Sequence, residues 1–513
     1  MKKRILAMIL CLTLALGCTV PAFAQSEVCT CGDAPLIYVG PLGNNDIVRD
    51  AGTEDETVLF RIPTKTILNL VAKVLPALAV FGITHNYDNL GDKLIPALND
   101  AFGDMALDGD GISKPNVTST WDWPTDKTHG QGRDYYFHYD WRLDPMEVAD
   151  QLHDFVEYVE ELTGHDTVKF RASSMGGVVT MAYFAKYGYS DVEACVFQCC
   201  PLQGTNVAGE LLSGQIALNG KALLTYGSQA FPPADAEGIL LHFLFNILYY
   251  SGTVDAVMNF GGKLLDNLAD RIFEEMLIPS FGTLLGLWSF VPDAYYDRAK
   301  ANSLNPATQA GLIAKADDYH YNVQCKADEI LTGAVDAGVR VMIVAGCGMQ
   351  RTPLVPDTMH WDSDCTVDTC YASAGATVAH LGSTLPAGYT QAVDDGHNHI
   401  SPENTIDAST CILPERTWFI KGMLHANCHD GISALYAKVL YSEEDFTVWS
   451  DPNYPQFLQN DKPNLRVIPM GNFAPGASAP AVEPGSSFYD FYTKFVSPVE
   501  DTFLGLLDWV RMD

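Results

Sequence analysis

One serine of this sequence has the neighbours that nucleophilic chemistry requires. It stands in the run Val168-Lys-Phe-Arg-Ala-Ser-Ser-Met-Gly-Gly177. A nucleophile on a sharp strand-to-helix turn needs small residues two positions before and two positions after it, because the strained backbone brings those positions together. Ala172 and Gly176 meet this need for Ser174, whereas Ser173 would be flanked by an arginine and a methionine. The pattern predicts Ser174 as the nucleophile of an acyl transfer, with Ser173 as its neighbour.

A serine that attacks an ester builds an oxyanion, which two preorganised backbone N–H groups can stabilise. The residue after the nucleophile, Met175, would supply one of them. The second should follow the first strand, where the sequence reads Tyr38-Val-Gly-Pro-Leu-Gly43. Pro41 has no N–H to donate. Leu42 is therefore the predicted second donor.

The other two members of a catalytic triad should follow in the order acid, then histidine, each in a loop after a late strand. Thr417–Lys421 has the composition of the last strand, and His425 is the first histidine after it. His425 is the predicted base, and His429 is the reserve. Two acidic residues lie just upstream, Glu403 and Asp407, and the spacing alone leaves both open as the acid.

A possible metal site is the run Asp394-Asp-Gly-His-Asn-His399. Histidines two residues apart with adjacent carboxylates are compatible with zinc or calcium, although such a run is also typical of a solvated loop. The triad chemistry itself requires no metal and no organic cofactor. We therefore expect none.

The elements around these residues alternate between strands and helices. Short β-branched or aromatic runs that end in turn residues predict strands at 35–39, 134–139, 167–172, 192–199, 339–345 and 417–421. Apolar positions of helical period fill Met146–Thr163 and Gly177–Tyr187 between them. Such alternation predicts an α/β protein with a mostly parallel sheet and helices on both faces.

Two insertions interrupt this alternation. Residues 203–316 show no clear strand and many large apolar side chains, which favours a helical cap over the site, although a separate helical subdomain fits the same pattern. Residues 350–401 have the composition of irregular surface structure. Four aromatic residues of the cap are candidates for substrate contact: Phe243, Phe245, Trp288 and Phe290.

The resulting organisation has six parts. Residues 1–24 form a signal peptide, residues 25–202 and 317–473 form the two parts of the core, and residues 203–316 form the cap. An Ala/Pro/Gly/Ser linker follows at 474–487. The last part, 488–513, has the pattern of amphipathic helix.

The N-terminus predicts export. Three basic residues precede an apolar run, and Ala22-Phe-Ala24 provides a cleavage site, so we expect a secreted, extracellular protein. An alternative interpretation is that Gly17-Cys18 is a lipoprotein site, with lipid attached to the cysteine. No other run is long enough to span a membrane. The formal charge of −32 becomes −35 when the three basic residues are removed, which argues against nucleic-acid partners and anionic membranes.

Eleven of the thirteen cysteines remain after cleavage at Ala24. An oxidising compartment predicts some disulfides and, because the number is odd, at least one free thiol. Cys365 and Cys370 are one candidate pair. Cys411 and Cys428 are a second, which would hold the loop of His425 near the acid; the alternative is that Cys428 stays a thiol.

Several of these motifs resemble those of the lecithin:cholesterol acyltransferase and lysosomal phospholipase branch of the α/β-hydrolases, and those of bacterial lipases of similar build. The sequences that carry the resemblance are Tyr139-Asp-Trp-Arg142, Ala172-Ser-Ser-Met-Gly176 and Pro201-Leu-Gln-Gly-Thr205. The resemblance implies an α/β-hydrolase fold. It also implies an acid that precedes Gly-Thr-Val, and Glu403-Asn-Thr-Ile406 fits that pattern, so Glu403 is preferred over Asp407.

Three differences from the family bear on the substrate. A serine replaces the histidine usual before the nucleophile, Gly-Pro replaces His-Gly at the oxyanion turn, and the predicted acid is a glutamate. The expected function is hydrolysis of carboxylic esters, with lipid-like substrates and contact with a lipid interface. Two alternatives stay open, an acyltransferase that uses an alcohol as acceptor and a non-catalytic exported binding protein on a hydrolase scaffold.

Overall fold

The computed structural model describes residues 29–59, 76–77, 80–81, 83–217, 267–353, 355–356, 360–425, 428–442 and 444–471. The predicted signal peptide, Phe243, Phe245, the linker and the C-terminal segment lie outside these residues. Within them, no helix combines the length and the apolar character needed to cross a membrane.

Fifteen strands are defined in the described residues. In chain order they are β1 Leu36–Val39, β2 Val48–Arg49, β3 Thr57–Val58, β4 Val117–Thr118, β5 Asp134–Phe137, β6 Val168–Ser173, β7 Val192–Gln198, β8 Arg340–Cys347, β9 Met349–Gln350, β10 Asp362–Ser363, β11 Thr377–Val378, β12 Ile406–Asp407, β13 Thr417–Lys421, β14 Phe457–Asp461 and β15 Arg466–Pro469.

The α-helices of the same residues are α1 Tyr87–Phe102, α2 Pro145–Thr163, α3 Met175–Tyr187, α4 Asn206–Leu212, α5 Ile278–Phe281, α6 Leu285–Trp288, α7 Asp293–Ser303, α8 Ala310–Asn322, α9 Ala327–Asp336, α10 Thr369–Ala372 and α11 Asp430–Leu440. A π-helical turn, Phe273–Leu277, precedes α5. Short 3₁₀ turns lie at Gly103–Met105, Gln324–Lys326, Ala408–Thr410, Pro414–Arg416 and Lys462–Asn464.

Eight strands form the central sheet in the order β15-β14-β13-β8-β7-β6-β1-β5. All neighbours are parallel except β14 and β15. The predicted α/β architecture with a mostly parallel central sheet is confirmed. The prediction that β13 is the last strand is wrong, because β14 and β15 extend the sheet beyond it.

Both faces of the sheet are covered. Alternate residues of one strand point to opposite faces, and in β7 Cys195 and Phe197 join one apolar cluster whereas Ala194 and Val196 join another. The first cluster includes α2, α3 and α9, and the second includes α11. Strands buried on both faces are typical of parallel sheets. Because the strands are parallel, their carboxyl ends lie at one edge of the sheet, where the following loops can carry functional residues.

The described part of the cap insertion is helical, from α4 and then from the π-helical turn to α8. Its predicted end at residue 316 falls inside α8, so the boundary does not coincide with the end of an element. The insertion 350–401 contains short strands and one helical turn, and much of it is buried rather than superficial, including Ser363, Asp364 and Asp368.

Candidate active site

Ser174 stands between β6 and α3 in a conformation that side chains rarely adopt. Its φ is 53° and its ψ is −120°, and its N–H donates to the carbonyl of Gln198 at 3.0 Å. A Cβ atom on Gly176 would lie 2.0 Å from the carbonyl oxygen of Val39, so only glycine fits there. The sharp turn and its small neighbours are therefore as the sequence pattern predicted, and the serine hydroxyl is directed to the carboxyl edge of the sheet.

His425 lies between Ser174 and an aspartate. The distance from its Nε2 to Oγ of Ser174 is 2.7 Å, and the distance from its Nδ1 to Oδ2 of Asp364 is 2.8 Å. With Nδ1 protonated, the imidazole donates to the carboxylate and accepts the proton of the serine hydroxyl. The three side chains form a continuous hydrogen-bonded relay from the hydroxyl through the imidazole to the carboxylate.

Asp364 is fully buried and held at both ends. Its Oδ1 accepts the N–H groups of Thr366 and Val367 at 2.9 and 2.8 Å, and its carbonyl oxygen accepts the N–H of His425 at 2.9 Å. A Cβ on Gly346 of β8 would lie 2.6 Å from the Cβ of Asp364, so that glycine lets the acid approach the sheet. These contacts fix the carboxylate in front of the imidazole.

Neither acid predicted from the sequence contacts His425. Glu403 forms an exposed ion pair with Nζ of Lys421 at 2.6 Å. Asp407 accepts the Tyr389 hydroxyl, the Ala392 N–H and the Ser409 N–H, each at 2.8–2.9 Å. The assignment of the acid to Glu403, with Asp407 as alternative, is corrected to Asp364, because both predicted side chains are committed to other partners.

A sequence signal for Asp364 exists. Asp364-Cys-Thr-Val367 matches the family pattern of an acid before Gly-Thr-Val, with cysteine in place of glycine. Cys365 has a φ of 80°, the left-handed region that favours glycine. Asn404, after Glu403, also has a positive φ, of 55°. The second residue of both tetrapeptides therefore has a positive φ, and the pattern detects that backbone feature rather than the role of the first residue.

The predicted oxyanion donors lie on two adjoining segments. Met175 is the first residue of α3, where N–H groups have no partner within the helix. Pro41 and Asn44 close a turn by a 3.0 Å backbone hydrogen bond around Leu42, and Gly40 of this turn packs against the elbow at Gly176. Leu42 and Met175 thus remain the predicted donors. The positive end of the α3 dipole adds to their effect.

The Tyr139–Arg142 motif contacts the oxyanion turn at Gly40 and the cap insertion at Gly286. The Tyr139 hydroxyl donates to the carbonyl of Gly40 at 2.7 Å, which holds the oxyanion turn. Arg142 is fully buried and pairs with Asp140 through two hydrogen bonds of 2.9 and 2.6 Å. The carbonyl of Trp141 touches Gly286 of α6 so closely that no side chain fits there. The motif therefore positions other groups and contributes no reacting atom.

Three titratable side chains lie beside Asp364. The two thiols are neutral at pH 7, and the carboxyl group of Asp362 becomes neutral below about pH 6. Burial raises the pKa of the Cys199 and Cys200 thiols well above their usual range. Burial also raises the pKa of Asp362 to about 6, although Thr369 and the Gly348 N–H donate to it. Cys199 and Cys200 thus add no negative charge that would compete with Asp364 for the imidazolium.

An apolar cavity of about 380 Å³ is lined mainly by the cap insertion, and two residues of its wall adjoin contacts of the relay and of the elbow. Leu287 of its wall follows Gly286, which contacts the Met175 side chain, and Thr366 of its wall donates its N–H to Asp364. The lining residues are Thr205, Val207, Ala208, Leu211, Leu212, Phe273, Leu277, Ile278, Phe281, Leu287, Phe290, Thr352 and Thr366. Most of the lining belongs to the cap insertion.

The two described aromatic candidates differ in position. Phe290 lines the cavity, as a substrate-binding residue would. Trp288 is only 2% exposed, and its Nε1–H donates to the carbonyl of Gly282 at 2.8 Å. The assignment of Trp288 to substrate contact is wrong, because α6 directs Trp288 into the core and Leu287 toward the cavity.

One wall of the cavity is anchored by buried charges. Arg351 forms hydrogen bonds of 3.0 and 2.8 Å with both carboxylate oxygens of Glu210 in α4. Asp368 accepts the N–H of Asn206 at the start of the same helix, at 2.8 Å. Burial raises the pKa of both carboxyl groups, and Arg351 opposes that rise. These contacts fasten α4 to the insertion that carries Asp364.

The predicted disulfides do not form. All eleven cysteines of the described residues are free. Cys365 contacts the sulfur of Met349 at 3.8 Å, and the exposed Cys428 lies 3.4 Å from the hydroxyl of Ser433. Cys411 is buried. The loop of His425 is therefore held by its hydrogen bonds to Asp364 rather than by a covalent link.

The run 394–399 does not gather metal ligands. His399 is fully buried between Asp395 and Gln456, with hydrogen bonds of 2.8 Å to each. His397 stacks on Trp449 at 4.6 Å, and the ring of His399 meets the same tryptophan edge-on at 5.4 Å. No group of three metal donors forms in the described residues of this run.

Comparisons with known proteins add little to this geometry. No protein-family model and no curated protein matches the sequence. Among solved structures, the chain is similar to one described as the crystal structure of the Tle4-Tli4 complex, at 12% identity, over 61% of this chain and 75% of that chain, with a TM-score of 0.24. Similarity at this level supports no functional conclusion. The function must be inferred from the residues themselves.

Proposed function

We propose that this protein is a serine hydrolase that cleaves carboxylic esters through an acyl-enzyme on Ser174. The observation that carries the proposal is the relay from Ser174 through His425 to Asp364, with distances of 2.7 and 2.8 Å. His425 takes the proton of the serine as the hydroxyl attacks the carbonyl carbon. It then gives that proton to the leaving alcohol, and water repeats the sequence to release the acid.

Asp364 stabilises the imidazolium that forms during each proton transfer and keeps the ring in the required tautomer. Leu42 and Met175 are the proposed donors to the oxyanion of the tetrahedral intermediates. Each such donor contributes roughly 3–4 kcal/mol to the stabilisation of the transition state in enzymes of this type. These reaction steps transfer protons only between the serine, the histidine, the alcohol and water, and they balance without a metal or cofactor.

The proposed substrates are esters with an apolar acyl chain. Support comes from the cavity of about 380 Å³, which reaches Thr366, a hydrogen-bond partner of Asp364, and whose wall is formed almost entirely by apolar atoms, mostly of the cap insertion. Each methylene group that enters such a cavity contributes about 0.8 kcal/mol. Acyl chains should therefore gain affinity with length until the cavity is filled.

Export is part of the same proposal. Its support is the N-terminal sequence, in which Lys2, Lys3 and Arg4 precede an apolar run and the triplet Ala22-Phe-Ala24. N-terminal sequencing of protein recovered from the medium of an expressing culture would test it, with Gln25 as the expected first residue.

The test of the activity is a panel of esters from acetyl to octanoyl with wild type, Ser174→Ala and Ser173→Ala. We expect Ser174→Ala to abolish hydrolysis with an unchanged unfolding transition, and Ser173→Ala to retain most of it. Octanoyl esters should be preferred over acetyl esters. Hydrolysis that survives in Ser174→Ala would refute the nucleophile, and a preference for acetyl esters would refute the apolar acyl group.

A further inference from the structure

Two cysteines and two histidines meet at the edge of the central sheet opposite the triad. Cys29 and Cys31 precede β1, His129 precedes β5, and His165 lies in the short connection before β6. These three strands are parallel neighbours in the sheet. The four residues therefore converge at the amino ends of the strands, whereas the triad lies at the carboxyl ends.

The four donor atoms have the spacing of a tetrahedral metal site. Sγ of Cys31 is 3.3 Å from Nε2 of His129 and 3.3 Å from Nε2 of His165, and Sγ of Cys29 is 3.9 Å from Nε2 of His129. All four atoms lie within 4.8 Å of one another. Zinc binds sulfur at about 2.3 Å and nitrogen at about 2.0–2.1 Å, so its tetrahedral ligands are roughly 3.3–3.8 Å apart.

Neighbouring groups orient these ligands. Nδ1 of His129 lies 3.0 Å from the carbonyl oxygen of Lys127, which places the proton on Nδ1 and leaves the Nε2 lone pair toward the cluster. The N–H of Asp33 donates to Sγ of Cys31 at 3.3 Å, as it would to a thiolate. The N–H of Cys29 donates to the carbonyl of Gly164 at 2.8 Å, which ties the segment to the His165 turn.

Hydrogen bonds among neutral side chains explain the convergence less well. The thiol of Cys31 has one proton, and both imidazole nitrogens lie at 3.3 Å from the same sulfur. That proton can serve Nε2 of His129 while an Nε2–H of His165 donates to the sulfur. Cys29, whose Sγ is 3.9 Å from Nε2 of His129, then competes with Cys31 for the single lone pair of that nitrogen. A cation between two thiolates and two imidazoles satisfies all four donor atoms at once.

We propose that Cys29, Cys31, His129 and His165 bind one Zn²⁺ ion. Four protein ligands leave no open position for water, so the ion has a structural role. It fastens the segment ahead of β1 to the loops before β5 and β6. Because zinc binds the folded chain and its ligands are far apart in sequence, its binding energy adds to the stability of the fold.

Metal analysis of the full-length protein, purified with a thiol reductant and without added chelator, tests the site. We expect about one zinc ion per chain in wild type and loss of nearly all of it in Cys31→Ser and in His165→Ala. Cys428→Ser is the matched control, because Cys428 is also exposed, lies 3.4 Å from the hydroxyl of Ser433 and belongs to no group of metal donors in the described residues. It should keep its zinc.

Cobalt(II) substitution provides a second readout that does not depend on how well the variants fold. Wild type reconstituted with cobalt should show the intense visible bands of tetrahedral coordination and a thiolate charge-transfer band. A strong chelator should lower the unfolding temperature of wild type and leave that of Cys31→Ser unchanged. Wild type without zinc, full zinc content in Cys31→Ser, octahedral cobalt spectra, or a Cys29–Cys31 disulfide in the reduced preparation would each overturn the proposal.

Discussion

Asp364, the acid of the proposed triad, is held by more hydrogen bonds than His425, which it orients. Asp364 accepts two backbone N–H groups at one oxygen and the imidazole at the other, and its carbonyl holds the backbone of His425. Since none of the three side chains can turn without breaking a hydrogen bond of the relay, the arrangement is preorganised for the proposed proton transfer.

Asp364→Asn is expected to lower kcat/KM for a reactive ester by about 10⁴-fold, because an amide favours the wrong imidazole tautomer and does not stabilise the imidazolium. Glu403→Gln is the matched control, since Glu403 pairs only with Lys421 at the surface in this structure. It should leave kcat/KM within about twofold, because exposed ion pairs contribute little. The reverse pattern, with activity lost in Glu403→Gln and kept in Asp364→Asn, would contradict the assignment.

Local patterns identified the residues whose roles depend on local backbone. Ser174 was predicted because its strained turn demands small neighbours, and His425 was predicted from its place after a strand. The acid was missed because its role depends on contact with a histidine 61 residues away, which no local pattern records. The residue after Asp364 has a positive φ, but so does the residue after Glu403, so this feature does not distinguish the two acids.

At the scale of elements, the sequence predicted the central strands well and the edge of the sheet poorly. The predicted strand at 417–421 is β13 to the residue, and the apolar runs of β6 to β8 are displaced by at most two residues at either end. The sequence does not predict β14 and β15, because Asn460 and Asp461 at the end of β14 and Pro469 in the edge strand β15 are residues that disfavour strands.

The start of α2 carries a buried carboxyl group, Asp144, whose ionisation lowers the stability of the fold. Asp144 is its N-cap and accepts the Met146 N–H at 3.0 Å, and burial raises the pKa of this carboxyl from 3.8 to about 6. A raised pKa in the folded state means that the unfolded chain loses its proton first. The contribution of Asp144 to stability is therefore favourable at low pH and falls as the pH rises from about 4 to about 6.

Asp144→Asn keeps the hydrogen-bond acceptor and removes the charge. We expect its free energy of unfolding to exceed that of wild type at pH 8 by on the order of 1–2 kcal/mol, with a difference near zero at pH 4, measured by urea unfolding. Asp144→Ala, which lacks the acceptor, should lie about 1 kcal/mol below Asp144→Asn at both pH values. A gain of Asp144→Asn that does not shrink on acidification would show that the penalty is not electrostatic.

Under the proposed function, helices of the cap insertion line the cavity that would hold the acyl chain. Ala208 of α4 lines the cavity, so Ala208→Trp should fill part of it. We expect KM for octanoyl esters to rise about tenfold, equivalent to losing the burial of roughly two methylene groups, with little change for acetyl esters. Ala301→Trp, at an exposed position of α7, is the control. Equal effects of Ala208→Trp on both esters would indicate that the acyl chain lies elsewhere.

At the scale of the whole molecule, charge is the dominant property. The chain carries 63 acidic and 31 basic residues. Individual surface ion pairs change stability little, but the summed field acts on any charged surface that the molecule approaches. A lipid interface with anionic headgroups should therefore repel it, while a neutral interface should not.

Binding to vesicles tests this repulsion without the complication of turnover if Ser174→Ala is used. At about 0.01 M salt, where the screening length is roughly 30 Å, addition of phosphatidylserine to phosphatidylcholine vesicles should reduce the bound fraction in co-sedimentation. At about 1 M salt the screening length falls to roughly 3 Å, and the difference between the two vesicle types should disappear. Hydrolysis of a neutral, water-soluble ester by wild type should not depend on salt in the same range, which separates the interfacial effect from any effect on the triad. Stronger binding to the phosphatidylserine vesicles at low salt would mean that a local basic or apolar surface outweighs the net charge of the chain.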